Sequence, residues 1–161
     1  MRKPMRILLA GLAVLCLTFS GCANLLWTVM DAASSTEKTF EQVKKLFEAD
    51  QDAVLAAVRS GQYEDAASLD WIESVDDCGT YVYFACGGSG MGSQTNYSGF
   101  FYTPEDDPLV MHRHSNPAMY ALNAEDFVQT EEGWEYRESA SDNHFIIRRL
   151  ATGYYYYWEH F

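Results

Sequence analysis

Basic residues are scarce in this chain: 11 Lys and Arg stand against 23 Asp and Glu in 161 residues, for a formal charge of −12. Three of the 11 (Arg2, Lys3 and Arg6) lie at the start, so residues 22–161 carry a formal charge of −15. A surface of this sign repels phosphate, which argues against nucleic acid as a partner. It also disfavours adsorption to anionic lipid, so membrane attachment has to be covalent or inserted.

The apolar run near the start, Ile7–Phe19, is short. Its 13 residues would reach roughly 20 Å as a helix, less than the ~30 Å hydrocarbon core of a bilayer. Positive charges precede the run, and the small residues Ser20-Gly21 and then Cys22 follow it. This layout is typical of a secretory signal, so we predict a signal peptide over residues 1–21.

The end of this leader resembles the lipobox of bacterial lipoproteins, in which small residues precede a Cys that receives diacylglycerol. Phe19 stands where the family usually has an aliphatic residue. The resemblance implies a lipid on Cys22, a tether over 22–33, and a domain over 34–161 held outside the bacterial cell membrane. Two alternatives stay open. Cleavage after Ala23 would release a soluble secreted protein, and the absence of charge from position 7 to 30 would permit an uncleaved membrane anchor.

Cysteine is also scarce beyond the leader, where only Cys78 and Cys86 remain besides Cys22. On one straight strand, Cys78 and Cys86 would lie ~26 Å apart, whereas a disulfide needs Cα atoms within roughly 7 Å. A bridge therefore requires a turn near Cys78-Gly79. A buried, free Cys86 is the favoured prediction, and the disulfide stays open.

Two sequence periods predict an α+β domain. Apolar residues recur at helical spacing after the capping signal Ser34-Ser35-Thr36-Glu37, which predicts one amphipathic helix over about 35–60, ended by Gly61. Alternating β-branched and aromatic residues then predict an antiparallel sheet of about five or six strands, on which the helix packs. The predicted strands are 80–86, 97–103, 134–137, 144–150 and 154–161, with a further one within 109–119.

Recognised catalytic and cofactor motifs are missing. The glycine-dense stretch Gly87–Gly92 lacks the Gly-Lys-Ser/Thr ending of a phosphate-binding loop, and no helix signal follows it, so it predicts a flexible hairpin connection. His144 and His160 lie on the last two predicted strands and could meet across a hairpin, but no carboxylate or hydroxyl relay is identifiable for them. We predict no cofactor.

Two groups of residues are candidate sites. His112 and His114 would share a face of a strand, and an acidic side chain of residues 105–107 could join them around a metal ion. The aromatic side chains of the final strand, Tyr154, Tyr156 and Trp158, would share one sheet face, where rings with polar tips can stack on sugars or hold a protein.

The body resembles small bacterial lipoproteins of unknown function. The shared features are a Cys-Gly-Gly-x-Gly stretch, a Gly-Phe-aromatic-Tyr strand that runs into a Pro/Asp turn, and an aromatic last strand. In this chain they are Cys86–Gly90, Gly99–Asp107 and Tyr154–Phe161. This resemblance implies no known activity. The sequence thus predicts an envelope lipoprotein that binds a protein or carbohydrate partner without catalysis. The alternative is a secreted hydrolase that uses a metal at His112 and His114.

Overall fold

The computed structural model describes residues 36–91, 94–114 and 124–161. Residues 36–161 form one compact unit of helices and an antiparallel sheet, which confirms the α+β class. The leader, the tether and Cys22 lie outside the described residues, so their predicted roles are unchanged. Within the described part, none of the helices has the length and apolar character needed to cross a membrane.

Two helices occupy the region where one was predicted. Helix α1 spans Phe40–Ala49 and helix α2 spans Gln51–Ser60. Asp50 separates them with φ −110° and ψ 18°, and its carboxylate accepts a hydrogen bond of 2.8 Å from Trp71 Nε1. The predicted single helix was therefore wrong, because a side chain remote in sequence holds the break.

The start of this helical region differs from the prediction, and its end agrees with it. Helix α1 begins with a capping box between Thr39 and Gln42, not at the earlier Ser-Ser-Thr-Glu signal. Helix α2 ends at Gly61, which is left-handed with φ 69°, as predicted. The buried residues of the two helices (Val43, Phe47, Val54 and Ala57) lie on one side, and this side packs on the sheet.

Among the described residues the sheet has seven antiparallel strands, more than the five or six predicted. Their bounds are β1 Ser74–Asp77, β2 Val82–Met91, β3 Gln94–Tyr102, β4 Val128–Gln129, β5 Trp134–Arg137, β6 His144–Ala151 and β7 Tyr154–His160. Their order across the sheet is β1-β2-β3-β7-β6-β5-β4, so the last strand is central. The short edge strands β1 and β4 are the ones that the sequence did not predict.

Apolar clusters cover both faces of the sheet. The first face carries helices α1 and α2 over side chains of β1, β2, β3 and β7, among them Phe84, Phe100 and Tyr156. The second face packs under Leu109–Met111 and Phe127. Alternation along β7 sends Tyr154, Tyr156 and Trp158 to the first face and Tyr155 and Tyr157 to the second, which explains why this strand is aromatic throughout.

Residues Thr36–Thr39, which we call the strap, lie against the first face before helix α1. The Thr36 amide donates to the Gly88 carbonyl (2.9 Å), and the Gly88 amide donates to Thr36 Oγ1 (3.0 Å). The Lys38 amide donates to Ser98 Oγ (2.8 Å), and Tyr156 donates its hydroxyl to the Lys38 carbonyl (3.1 Å). The strap is therefore bonded to β2, β3 and β7.

Two further predictions were wrong. Val110–His114 forms a short helix, α3, instead of a strand, because Leu109 begins a helical turn: its carbonyl accepts from the amides of His112 and Arg113. The predicted hairpin between two strands is present, but Gly87–Met91 forms the outer half of β2, paired with β3, and is not part of the connection. A bulge between Ala85 and Gly87 shifts the register there.

Candidate functional site

An open groove of about 260 Å³ lies on the first face, where the strap meets β6 and β7. Its walls come from the strap, helix α1, β6 and β7, and the lining residues are Glu37, Thr39, Phe40, His144, Ile146, Arg148, Tyr156 and Trp158. Because side chains alternate along a strand, each lining residue of β6 and β7 is two positions from the next. The groove is small compared with the ~300–1,000 Å³ of drug-sized sites, so it fits one ring of a ligand.

Glu37 of the strap holds the wall formed by Trp158. Trp158 Nε1 donates to Glu37 Oε1 (2.5 Å), and Ser89 Oγ donates to Glu37 Oε2 (2.7 Å). Both carboxylate oxygens therefore have donors, and the indole orientation is set by a residue 121 positions earlier in the chain. Phe40 closes the groove beside Tyr156, with ring centroids 5.6 Å apart in an edge-to-face arrangement.

His144 and Glu135 form a hydrogen-bonded pair at the β6 side of the groove. His144 Nε2 lies 2.8 Å from Glu135 Oε1, and the imidazole meets the Trp158 ring edge-to-face at 5.1 Å. Burial lowers the pKa of His144, and the bond to Glu135 opposes this effect. The hydrogen bond from Arg137 (2.7 Å) is the main cause that lowers the pKa of Glu135.

Charged side chains of both signs surround the groove. Arg148 donates to Glu132, and its guanidinium carbon lies 5.3 Å from the centre of the Phe40 ring. Lys44 approaches the same ring at 6.0 Å. These two side chains would repel a cationic ligand. An anionic ligand would meet Glu37, whose carboxylate accepts from Trp158 and Ser89, which are both neutral. The groove is suited to a neutral ligand.

The predicted aromatic surface is only partly available. Tyr154 and Tyr156 are 3% and 4% exposed, since helix α1 covers them. Burial raises the pKa of Tyr154 to about 12. Tyr156 still reaches the groove with part of its side chain, and Trp158 is partly exposed there. An exposed platform of all three rings is not what the structure shows: two of them line one end of a groove.

Of the two predicted metal-ligating histidines, only His112 has a described side chain, and it lies in an aromatic environment. The His112 ring packs against Phe127 (4.5 Å) and Phe145 (5.9 Å), and burial lowers its pKa to about 4. The side chain of His114 lies outside the described residues. No three described His, Cys, Asp or Glu side chains are arranged to hold a metal ion.

The acidic residues predicted to complete that site have other partners. Asp107 accepts from Arg113 Nε (2.8 Å). Asp106 accepts hydrogen bonds from the Tyr155 hydroxyl (2.6 Å), the Gly153 amide (2.7 Å) and the Arg149 guanidinium (2.9 Å). These bonds lower the pKa of Asp106 to about 2, and the bond from Tyr155 has the largest effect. Asp106 is thus a structural link between the 104–107 turn and the β6–β7 hairpin, and its own φ is 55°.

Cys78 and Cys86 are free thiols. Cys78 begins the turn between β1 and β2, so a turn exists where a bridge would need it. Cys86 is nevertheless four residues beyond Val82, the first paired residue of β2, which is a distance of about 13 Å along the strand. The predicted burial of Cys86 is confirmed, and burial raises its pKa to about 12.

Sequence reasoning did not place Glu37, Phe40, Arg148 or Ile146 in the site. The sequence feature that could have located the site is the pair of histidines on the last two strands. His144 and His160 are direct cross-strand neighbours, as the predicted hairpin suggested. Each also has a carboxylate that was not foreseen, because Glu135 reaches His144 from β5 and Asp142 Oδ2 lies 3.5 Å from His160. Pairing the last two strands therefore locates the site, and the strap completes it.

The chain was compared with protein-family models, curated proteins and solved structures, and none of the three comparisons found a match.

Proposed function

We propose that this protein is an exported, lipid-anchored binding protein of the bacterial cell envelope, and that its groove holds a neutral carbohydrate. The observation that carries the proposal is the aromatic groove of Phe40, Tyr156 and Trp158, in which Arg148 is paired with Glu132 and the Glu37 carboxylate accepts from Trp158 and Ser89. Such a site buries the apolar face of a sugar ring against aromatic carbon and meets its hydroxyls with polar side chains at the rim.

The polar rim favours a sugar over a purely apolar ligand. Glu37, Thr39, His144 and Arg148 all line the groove, so donors and acceptors surround the aromatic surface. A wholly apolar ligand would displace water from the lone pairs of Glu37 and the N–H groups of Arg148 that their protein partners do not use, at a cost of about 1–3 kcal/mol for each group left unsatisfied. A protein partner is the other ligand class that the sequence suggested, and a groove sized for one ring suits a glycan terminus better.

The titratable groups of the groove are hydrogen-bonded to its walls, which suits a preformed binding site. Glu37 is occupied by Trp158 and Ser89, and His144 is bonded to Glu135. These bonds hold the walls in place. The hydrolase alternative at His112 has little support, since that imidazole packs between aromatic rings.

Anchoring at Cys22 rests on the leader sequence alone. Mass spectrometry of the mature protein from native membranes tests it: we expect an N-terminus at Cys22 that carries diacylglycerol. Cys22→Ser should release the protein from the membrane fraction. Recovery of unprocessed, unlipidated chain from the cytosol would contradict this part of the proposal.

Glycan binding is tested with purified protein on an array of neutral and acidic glycans. We expect binding to neutral glycans, lost in Trp158→Ala. Tyr97→Ala is the matched control, because Tyr97 is also an exposed aromatic residue (45%) but lies on the other face of the sheet. It is paired with Glu159, whose side chain points to the face opposite Trp158. Thermal unfolding should show that both variants are folded. If no neutral glycan binds, or if the two variants lose binding equally, the proposal fails.

A further inference from the structure

A row of side chains extends from the groove to the edge of the sheet. The register pairs Trp158 with Ile146, Ile146 with Glu135, and Glu135 with Val128. Directly paired residues share a sheet face, so the row crosses β7, β6, β5 and β4 on the first face. With strands ~4.8 Å apart, Trp158 and Val128 are separated by about 14 Å.

The strap ends this row on one side and leaves it open on the other. Beyond Trp158 the next paired residue is Ser98, whose hydroxyl is occupied by the Lys38 amide of the strap. In the opposite direction, the buried cluster under helices α1 and α2 contains no described residue of β4 or β5. Val128, at the far end, is 66% exposed. A ligand seated in the groove can therefore extend in only one direction along the row.

The chemistry of the row alternates between apolar and polar groups. Ile146 and Val128 present aliphatic surface, and Glu135 lies between them with Arg137 and His144 bonded to its carboxylate. Arg137 is 71% exposed, so its remaining guanidinium N–H groups face solvent beside the row. This pattern offers apolar patches for ring faces and donors for hydroxyls, with opposite charges already paired, so it continues the neutral character of the groove.

We propose that the ligand is an oligosaccharide, and that its chain runs from the groove at Trp158 along Ile146 and Glu135 to Val128. This inference rests on the proposed function and adds a chain length: the open row matches roughly a trisaccharide. The first sugar ring occupies the groove, which β6 and β7 line, and the two following residues lie over β5 and β4. Affinity should therefore increase with chain length and then become constant.

The experiment is isothermal titration of the full-length protein with oligomers of one to four residues of glucose, mannose, galactose and N-acetylglucosamine. For a series that binds, we expect affinity to rise about tenfold or more from the monosaccharide to the trisaccharide, with no further gain for the tetrasaccharide. Val128→Asp should reduce the trisaccharide-to-monosaccharide affinity ratio toward one. Gln129→Asp is the matched control, since this exposed neighbour on β4 points to the other face, and it should leave the ratio unchanged.

The outcomes separate the two proposals. Equal affinity for the monosaccharide and the trisaccharide overturns the extended site and leaves the groove intact. A length dependence that Val128→Asp and Gln129→Asp weaken equally also overturns it, because the effect would then follow from added charge. If no member of any series binds, the carbohydrate proposal itself fails, and the extended site fails with it.

Discussion

A single added methyl group at Gly87 should detach the strap from the sheet. The backbone of Gly87 has φ 154°, a conformation that side chains disfavour, and a Cβ there would lie 1.9 Å from the Thr36 carbonyl oxygen. That atom is backbone and cannot rotate away, so Thr36 has to move. Its movement breaks the paired bonds between Thr36 and Gly88 and strains the bond between the Lys38 amide and Ser98.

The size of the effect follows from these contacts. Each hydrogen bond contributes about 0.5–1.5 kcal/mol, and the backbone conformation adds about 1 kcal/mol. Gly87→Ala should therefore lower the free energy of unfolding by about 3 kcal/mol, measured by urea denaturation. Amide hydrogen exchange should show lost protection at Lys38 and Gly88, while the paired strands β6 and β7 stay protected.

Gly79→Ala is the control for this substitution. Gly79 also has a positive φ, 82°, but a Cβ there would meet no atom within 4 Å. Gly79→Ala should lower the free energy of unfolding by only about 1 kcal/mol, the cost of the left-handed backbone conformation, and the amides of the strap should stay protected from exchange. Equal stability losses in the two variants, or unchanged exchange at Lys38 in Gly87→Ala, would refute the account of the strap.

Three further substitutions test other parts of the structure. Thr103 is fully buried and its Oγ1 has no hydrogen-bond partner among the described residues, so Thr103→Val should raise the free energy of unfolding by about 1 kcal/mol in urea denaturation; a loss would show that the hydroxyl is satisfied. The pKa of His112 falls from 6.5 to about 4 on folding, so the unfolded chain takes up a proton first as pH drops, and stability should fall by about 2–3 kcal/mol between pH 6.5 and 4. His112→Phe should flatten this part of the stability profile, and an unchanged slope would contradict the assignment. Asp106→Ala should lower the thermal midpoint more than Asp106→Asn, because Asn keeps an acceptor and tolerates the positive φ; equal midpoints would argue against the link.

The sequence predicted the fold where local patterns decide it and missed it where distant contacts decide. The helical spacing of apolar residues continues across Asp50 from Phe47 to Val54, so no local pattern predicted the break between helices α1 and α2. The hydrogen bond from Trp71 to Asp50 stabilises this break. The edge strand β1 was missed because it is short and acidic, and its pairing with β2 forms only after the Cys78 turn.

The candidate site was predictable only in part. The alternation of β7 placed Tyr156 and Trp158 on one face, and the hairpin brought His144 opposite His160. The burial of Tyr156 under helix α1 and the contribution of Glu37 from the strap depend on residues more than 100 positions earlier in the chain. No periodic pattern in the sequence predicts contacts between residues so far apart in the chain.

The central place of β7 has a consequence for the order of events when the protein is made. Before Tyr154–His160 is available, β1–β3 and β4–β6 are two separate three-stranded pieces, each with an unpaired inner edge. Neither piece can complete its ladder alone, and open edges of this kind are prone to pair with other chains. We expect the domain to stay unfolded during synthesis and to close in one late, cooperative step. Until β7 has been synthesised, such a polypeptide stays unfolded and can still pass through an export channel.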